Sequence, residues 1–261
     1  LVDFLKLLQN ENMKIYRRAA TWVMFALVVG IPVMIALAVY LFTPDDLPSN
    51  WFITMIASNI VINLVAIFTV VKAADAVAGE FAQGTIKLLL IRPWNRSVIL
   101  LSKYLALLLF GLIMTVAAFA ASFITGVAFF GYAGSPEDMG RNSPWTFMLL
   151  WYLYQFISIV VIATLAFMMS AVFRSGGLTI GLSIFLLFAG NIITSILMPL
   201  NKPFVKYILF PHLQLTTYLD GGRGPLPQYP MTLEFSLAVL GAYFLVFVAI
   251  AWLVFSRRDV S

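Results

Sequence analysis

Cysteine is absent from the 261 residues, and histidine occurs once, as His212. No disulfide framework, thiolate metal site or cysteine nucleophile is available. A metal centre built on several imidazoles is excluded as well. Charge is scarce: Asp, Glu, Lys and Arg make up 10% of the chain, against about 25% in ordinary soluble domains. No G-x-x-x-x-G-K-[ST] occurs, so the chain has no P-loop with which to bind ATP. Within the apolar stretches there is no H-E-x-x-H and no paired Asp, which leaves a membrane-embedded enzyme without a recognisable constellation. No internal repeat or low-complexity tract is present. What remains is apolar, 62% of all residues.

That balance points to a membrane protein. A transmembrane helix needs about 20 apolar residues to cross a hydrocarbon core of about 30 Å. Six runs qualify: Ala19–Phe42, Trp51–Val71, Tyr104–Phe130, Trp145–Phe173, Gly177–Leu200 and Leu233–Phe255. None of their interiors holds a charge; Glu234 stands at the edge of the last. The expected class is an all-α membrane protein with six transmembrane helices. The first run follows charged residues and is too long for a signal-peptide core, so it is read as an uncleaved span.

The net charge of +5 would suggest nucleic acid in a soluble protein. Here its distribution matters more, and no nucleic-acid partner is expected. Twelve of the sixteen Lys and Arg residues fall before the first span, between the second and third, between the fourth and fifth, or after the sixth. The opposite connections hold only Arg141, Lys202, Lys206 and Arg223. The positive-inside rule then places both termini in the cytoplasm of a cell-membrane protein.

The stretch GEFAQGTIKLLLIRP, Gly79 to Pro93, is the least ordinary part. Charges here would cost about 2.5–3.5 kcal/mol each at the centre of a bilayer. Yet Phe81, Ile86, Leu89 and Leu90 lie between them. Gly84-Thr85 reads as a break and helix N-cap, and Pro93 disfavours helical geometry at Arg92. The reading is a short surface helix from about Thr85 to Ile91. Such a helix buries its apolar face either in lipid headgroups or in a groove on another protein.

Glu80, Gly84-Thr85, Leu88-Leu89-Leu90 and Pro93 resemble the E-x-x-x-G-T-x-x-x-L-L-x-x-P pattern of ABC-2 type permeases, the membrane subunits of one class of ATP-binding-cassette exporters. The lead-in NENMKIYRR (Asn10–Arg18), the turn AVFRSGG (Ala171–Gly177) and the ending FSRRDV (Phe255–Val260) are also similar to that family. The resemblance implies a type V exporter-like fold. Residues 1–18 would form an amphipathic connecting helix and 19–261 the six-span domain. A coupling helix would lie within 73–103, and a small re-entrant helix within the outer loop 201–232. It further implies that Glu80, Phe81, Gly84, Thr85, Lys87, Leu89, Arg92 and Pro93 meet a cytoplasmic ATPase. Two such ATPases, holding ATP and Mg, would serve this chain and a second permease copy or homologue. This chain itself would bind no cofactor and catalyse no reaction.

Three further readings come from the residues. Phe4, Leu5, Leu8 and Ile15 fit one apolar face of a surface helix, with Lys14, Arg17 and Arg18 toward anionic membrane lipids. Phe204–Phe210, between Pro203 and Pro211, is too short to span and reads as a re-entrant or interfacial helix. Asn59, Asn63, Gln155 and Asn191 are amides inside spans. They either bond neighbouring helices or line a substrate path. No intramembrane carboxylate or ion pair is expected, which disfavours a proton-driven pump. Uncharged walls suit an amphipathic peptide, a drug or a lipid-like cargo. An ATP-independent channel, a sensory membrane subunit and, more remotely, a membrane-embedded enzyme stay open at this point.

Overall fold

The structure, a computed structural model, describes residues 2–43, 47–84, 95–132, 143–173, 175–197, 203–222, 224–226 and 229–257. The side chains of Val2, Asp3, Asn191, Leu197, Pro203 and Asp220 lie outside that description. Among the described residues every regular element is helical. Helix α1 (Val2–Tyr16) precedes five long helices: α2 (Ala19–Phe42), α3 (Asn50–Ala82), α4 (Arg96–Phe130), α5 (Pro144–Val172) and α6 (Gly176–Leu197). A last long helix, numbered α8 (Leu233–Arg257), closes the chain. Six helices, all but α1 among these, are long and apolar enough to cross a membrane. The protein is a multi-pass membrane protein.

The starts follow local chemistry. Ser49 accepts a hydrogen bond from the Phe52 N–H at 3.3 Å and so caps α3. Ser143 does the same for α5 through Thr146 N–H at 3.3 Å, and Pro144 occupies the first turn, where its missing N–H costs nothing. Gly84 ends α3. Its φ of 69° is left-handed, and its N–H reaches the Phe81 carbonyl at 3.1 Å.

Two helices are longer than their apolar runs. α3 has 33 residues and α4 has 35. At about 1.5 Å per residue each measures about 50 Å, well beyond a hydrocarbon core of about 30 Å. The excess lies where the charges are, at Lys72–Ala82 and Arg96–Lys103. Charge forbids residence in hydrocarbon but not helicity, so both helices continue past the membrane. The coupling region expected over 73–103 is therefore largely helix. Its connector shrinks to the stretch between Ala82 and Arg96.

α3 is central and packs against α2, α4, α5 and α6, while α5 also packs against α8. α3 and α5 are the most enclosed helices, and α2 and α8 the most open to surroundings. One apolar core gathers Val28, Trp51, Val61, Phe110, Met114, Met148 and Trp151. The other joins α3, α4, α5 and α8 through Val77, Leu107, Val161, Phe167, Leu240 and Phe247.

The outer connection differs from the single re-entrant helix expected at Phe204–Phe210. It forms a 3-10 turn at Pro203–Tyr207, the short helix α7 (Leu209–His212) and a second 3-10 turn at Leu215–Gly221. Pro211 sits inside α7 and not beyond a helix end. With two prolines so close, only single turns can form between them. Val205, Leu209, His212 and Leu215 are buried, so the segment folds inward over α5, α6 and α8.

Candidate functional site

Two polar sites stand out in this apolar frame. The first is a ring of charges where α1 meets the ends of α3 and α4. Lys103 Nζ donates to Glu11 Oε2 at 2.9 Å and to Glu80 Oε1 at 2.5 Å. Lys14 Nζ donates to Glu11 Oε1 at 2.6 Å and to Glu80 Oε1 at 3.0 Å. The four side chains close a circuit of alternating sign. Lys103 is 2% exposed and Glu11 8%, so their pair is buried. Burial pushes the Glu11 carboxyl up, but Lys103 and Lys14 outweigh it and hold it below the usual range. Burial likewise pulls the Lys14 ammonium down, and Glu11 and Glu80 more than reverse this.

The ring has an outer tier. Arg18 pairs with Asp75. Lys72 Nζ donates to Thr21 Oγ1 at 2.8 Å and stands 5.9 Å from the Phe110 ring centroid. The enclosed space is small, about 60 Å³, or roughly two waters. The effect of the ring is mechanical: α1 is fastened to the last turns of α3 and the first turns of α4, on both sides of the connector.

Ser170 adds a second fastening. Its buried hydroxyl accepts from the N–H groups of Val77 and Ala78 at 3.0 and 2.9 Å and donates to the Ala74 carbonyl at 2.7 Å. A side chain of α5 thus reaches into the backbone of α3 just below the ring.

The second site is a cavity of about 240 Å³ between α3, α5, α6 and the outer segment. Asn63, Gln155, Ser158, Gln214 and Thr216 supply polar groups to it, and Ile159, Leu187, Phe188 and Phe210 supply apolar ones. Among the described residues no charged side chain lines it. Ser158 Oγ donates to the Leu213 carbonyl at 2.7 Å, pinning the outer segment over the cavity. Phe210 lies against Gly190, where an added Cβ would meet the ring at 2.8 Å.

Beside the cavity runs a hydrogen-bonded chain. His212 Nε2 donates to the Lys206 carbonyl at 2.8 Å. Nδ1 of the neutral ring then accepts from the Ser236 hydroxyl at 2.8 Å, and Tyr218 Oη, 2.6 Å from Ser236 Oγ, donates to it. The imidazole is fully buried. Burial pushes its pKa down, only partly offset by the bond to Lys206.

The residues singled out by sequence divide among these places. Glu80 is in the ring, paired within its own chain. Phe81 is half-buried against the core of α3, α4, α5 and α8. Gly84 is the helix stop. Thr85, Lys87, Leu89, Arg92 and Pro93 lie outside the described residues, as does the short helix expected there. Asn63 and Gln155 meet at the cavity. Asn59 does not line it; its amide donates to the Met55 carbonyl at 2.9 Å in the turn before. Asn191 follows Gly190, a lining residue, but its side chain is outside the description.

Sequence reading missed Glu11, Lys103 and Asp75 as partners. Phe4, Leu8 and Ile15 of the expected α1 face are half-buried and share it with buried Leu7 and Glu11, while Leu5 is 53% exposed. Glu11 falls on that face, three residues after Leu8 and four before Ile15, and there Lys14 and Lys103 pair with it. Lys14 and Arg18, expected at lipid headgroups, are held in ion pairs instead. Gln214 and Thr216 carried only a faint signal, a polar QLTT stretch amid apolar residues.

A family described as a protein of unknown function, DUF2705, matches residues 17–261. The chain belongs to the DUF2705 family. One relative of this DUF2705 chain is the uncharacterized protein YhcI of Bacillus subtilis (strain 168), 33% identical over 315 aligned positions covering 98% of this chain and 99% of the relative. Another is the uncharacterized membrane protein YdbK of the same organism, 24% identical, covering 95% of this chain and 99% of the relative. The match with YdbK agrees with a membrane-spanning fold for the family.

Proposed function

We propose that this DUF2705 chain is the permease subunit of an ATP-driven exporter of the ABC-2 type, moving an amphipathic or hydrophobic molecule out of the cytoplasm or its membrane leaflet. The observation that carries the reading is the ionic ring at the root of the connector between α3 and α4. A force applied to that connector is passed to α3, α4 and α1 together, because the ring and Ser170 leave them little freedom to slip. α3 also forms one wall of the polar cavity. One continuous helix therefore joins the driven end to the wall that a cargo would touch. Coupling needs such a two-ended element.

In this scheme Glu80 is a positioning residue. The docking face falls to Lys87, Leu89, Arg92 and Pro93 in the connector, with apolar residues filling a groove and charges at its rim. A partner ATPase holds ATP and Mg. Two permeases and two ATPases form the assembly, with both termini of each permease in the cytoplasm and the type V arrangement of connecting, coupling and outer elements. The cavity lies between α3, α5 and α6 under the outer segment, and ATP-driven repacking would expose it alternately.

The test is purification of the full chain from its native membranes with identification of attached chains. A co-purifying P-loop ATPase supports the proposal. It fails if no nucleotide-hydrolysing chain is found and cargo flux in vesicles proceeds without ATP, which is the channel reading.

A further inference from the structure

The polar cavity holds hydrogen-bonding groups that the protein itself does not use. The Gln155 amide of α5 and the Thr216 hydroxyl of the outer segment both line it, and neither has a hydrogen-bond partner among the described residues. Asn63 Nδ2 donates to the Asn59 carbonyl at 2.6 Å, which leaves Asn63 Oδ1 as an acceptor. Ser158 and Gln214 are engaged within the protein. Donors and acceptors therefore converge from three elements, α3, α5 and the outer segment. A polar group shielded from water costs free energy unless something answers it. The rest of the wall, from Leu187 and Phe188 of α6 to Phe210, offers hydrocarbon.

Position and size narrow what fits. Asn63 lies near the middle of the stretch between the start of α3 and Lys72, its first charge. The cavity is therefore at membrane depth. Its most open lining residues are Asn63 and Phe188, the latter 56% exposed, so the mouth is on the outer flank of α3 and α6. An entrant at that depth passes through hydrocarbon, where a charged side chain costs about 2.5–3.5 kcal/mol. A volume of about 240 Å³ is the share of roughly eight waters. An α-helix about 10 Å across does not enter it, whereas a short chain with a compact head does.

We propose that this cavity binds one uncharged amphiphile whose head carries amide or hydroxyl groups. The head bonds Gln155, Thr216 and Asn63, and the tail lies against Leu187, Phe188 and Phe210. Gln155 and Thr216 each both donate and accept. A head with acceptors alone, such as an ester, answers them less fully than an amide. Charge is excluded twice: by the route, and by walls that offer it no partner among the described residues. The inference narrows the cargo of the proposed exporter and rests on that reading for its role, but binding itself needs no ATPase.

The probes are tritiated N-octanoylglycinamide and N-octanoylglycine, which has the same shape but ends in a carboxylate at neutral pH. The full chain is placed in phosphatidylcholine nanodiscs, and uptake is read as the excess over empty nanodiscs. The amide is expected to show a saturable excess of one molecule per chain, with affinity roughly tenfold or more above that of the carboxylate. Gln155→Leu and Thr216→Val should each weaken amide binding by about fivefold, the factor one net hydrogen bond supplies. Gln155→Asn, which keeps the amide, should weaken it less. Asn59→Leu, outside the lining, should leave it unchanged. Thermal midpoints read in parallel separate lost binding from lost folding. No saturable excess of the amide, or equal affinity for amide and carboxylate, overturns the inference. So does unchanged affinity in both Gln155→Leu and Thr216→Val. None of these outcomes touches the exporter reading, which is decided by the co-purifying ATPase.

Discussion

The ionic ring and the polar cavity are about 25 Å apart along α3, at about 1.5 Å per residue, and are built on opposite physics. The ring is crowded: Lys103, Glu11, Lys14 and Glu80 pair with one another around a space of about 60 Å³. The cavity is roomy and uncharged, about 240 Å³ lined by amides, hydroxyls and apolar groups. Removing one member of a buried circuit leaves a charge without its partner in low dielectric, so the ring resists change. Removing one amide from a wet, neutral wall leaves water free to fill in. The first arrangement suits transmission of a displacement. The second suits contact with something that comes and goes.

The sharpest way to break the contrast is at Lys103. Lys103→Met removes the buried cation and leaves Glu11 and Glu80 with only the half-exposed Lys14 between them. A loss of about 3–5 kcal/mol is expected, as for other buried pairs broken on one side. Thermal unfolding of the purified chain in detergent reads it. Adding Glu11→Gln and Glu80→Gln to the same chain should recover most of the loss. If the triple variant is no more stable than Lys103→Met, the ring is not what holds α1 to α3 and α4.

Next come two glycines, one per site. An alanine methyl at Gly79 would overlap Asp75 Oδ1 and displace a carboxylate already engaged by Arg18. At Gly190 the methyl would meet Phe210 at 2.8 Å and push the outer segment off the cavity. Each is expected to cost about 1–3 kcal/mol, in the range of overpacked cores. Their consequences should separate under limited proteolysis: Gly79→Ala frees α1, and Gly190→Ala frees residues 203–222. Identical cleavage patterns in the two variants would mean that the sites are not independent.

How much of this was legible beforehand depended on the residue class. The six spans followed from long apolar runs, and Gly84 reads as a break before a following helix, where it proves to be the left-handed stop of α3. Asn63 and Gln155 were found because an amide in hydrocarbon must answer to a neighbour. The apolar runs are bounded at Val71 and Tyr104, where charge begins, and say nothing of how far the helices continue; they run on through Lys72–Ala82 and Arg96–Lys103, since charge ends the apolar run and not the helix. The ring stayed hidden for a related reason. Glu11, Glu80 and Lys103 are far apart in sequence, and each alone reads as solvated. The inward fold of Pro203–Gly221 depended on His212, whose burial needs Lys206 and Ser236 on either side, a pairing no local pattern announces.

Acid should tell the two regions apart with a smaller effect. The folded pKa of His212 lies below its ordinary 6.5. The unfolded chain therefore takes up the proton first, and the stability this group contributes is full above that value. It is lost as pH falls through the depressed folded one. Glu11 is held below 4.5, so its contribution is full above 4.5 and is lost only as pH falls through that lower value. Hydrogen exchange measured from neutral pH to about 4 should show the 203–222 segment loosening first and α1 holding until more acid conditions. Exchange in α1 rising ahead of the outer segment would contradict the assignment of both groups.

The smallest effect on stability is expected at the cavity, and it is the one that tests the proposed path. Intramembrane hydrogen bonds contribute about 0.6 kcal/mol each in measured cases. Asn63 already bonds its own helix, its amide donating to the Asn59 carbonyl at 2.6 Å, so Asn63→Leu and Gln155→Leu together should move the thermal midpoint very little. Cargo flux is another matter. If the cavity is where an amphipathic molecule rests, losing both amides removes polar contacts from facing walls, α3 and α5, and transport should fall several-fold while assembly with an ATPase is unchanged. Asn59→Leu is the matched control, one turn away on the same helix yet outside the cavity lining. Equal transport in all three chains would detach the cavity from the path. A fall with Asn59→Leu as large as with the double change would point to a general effect on α3.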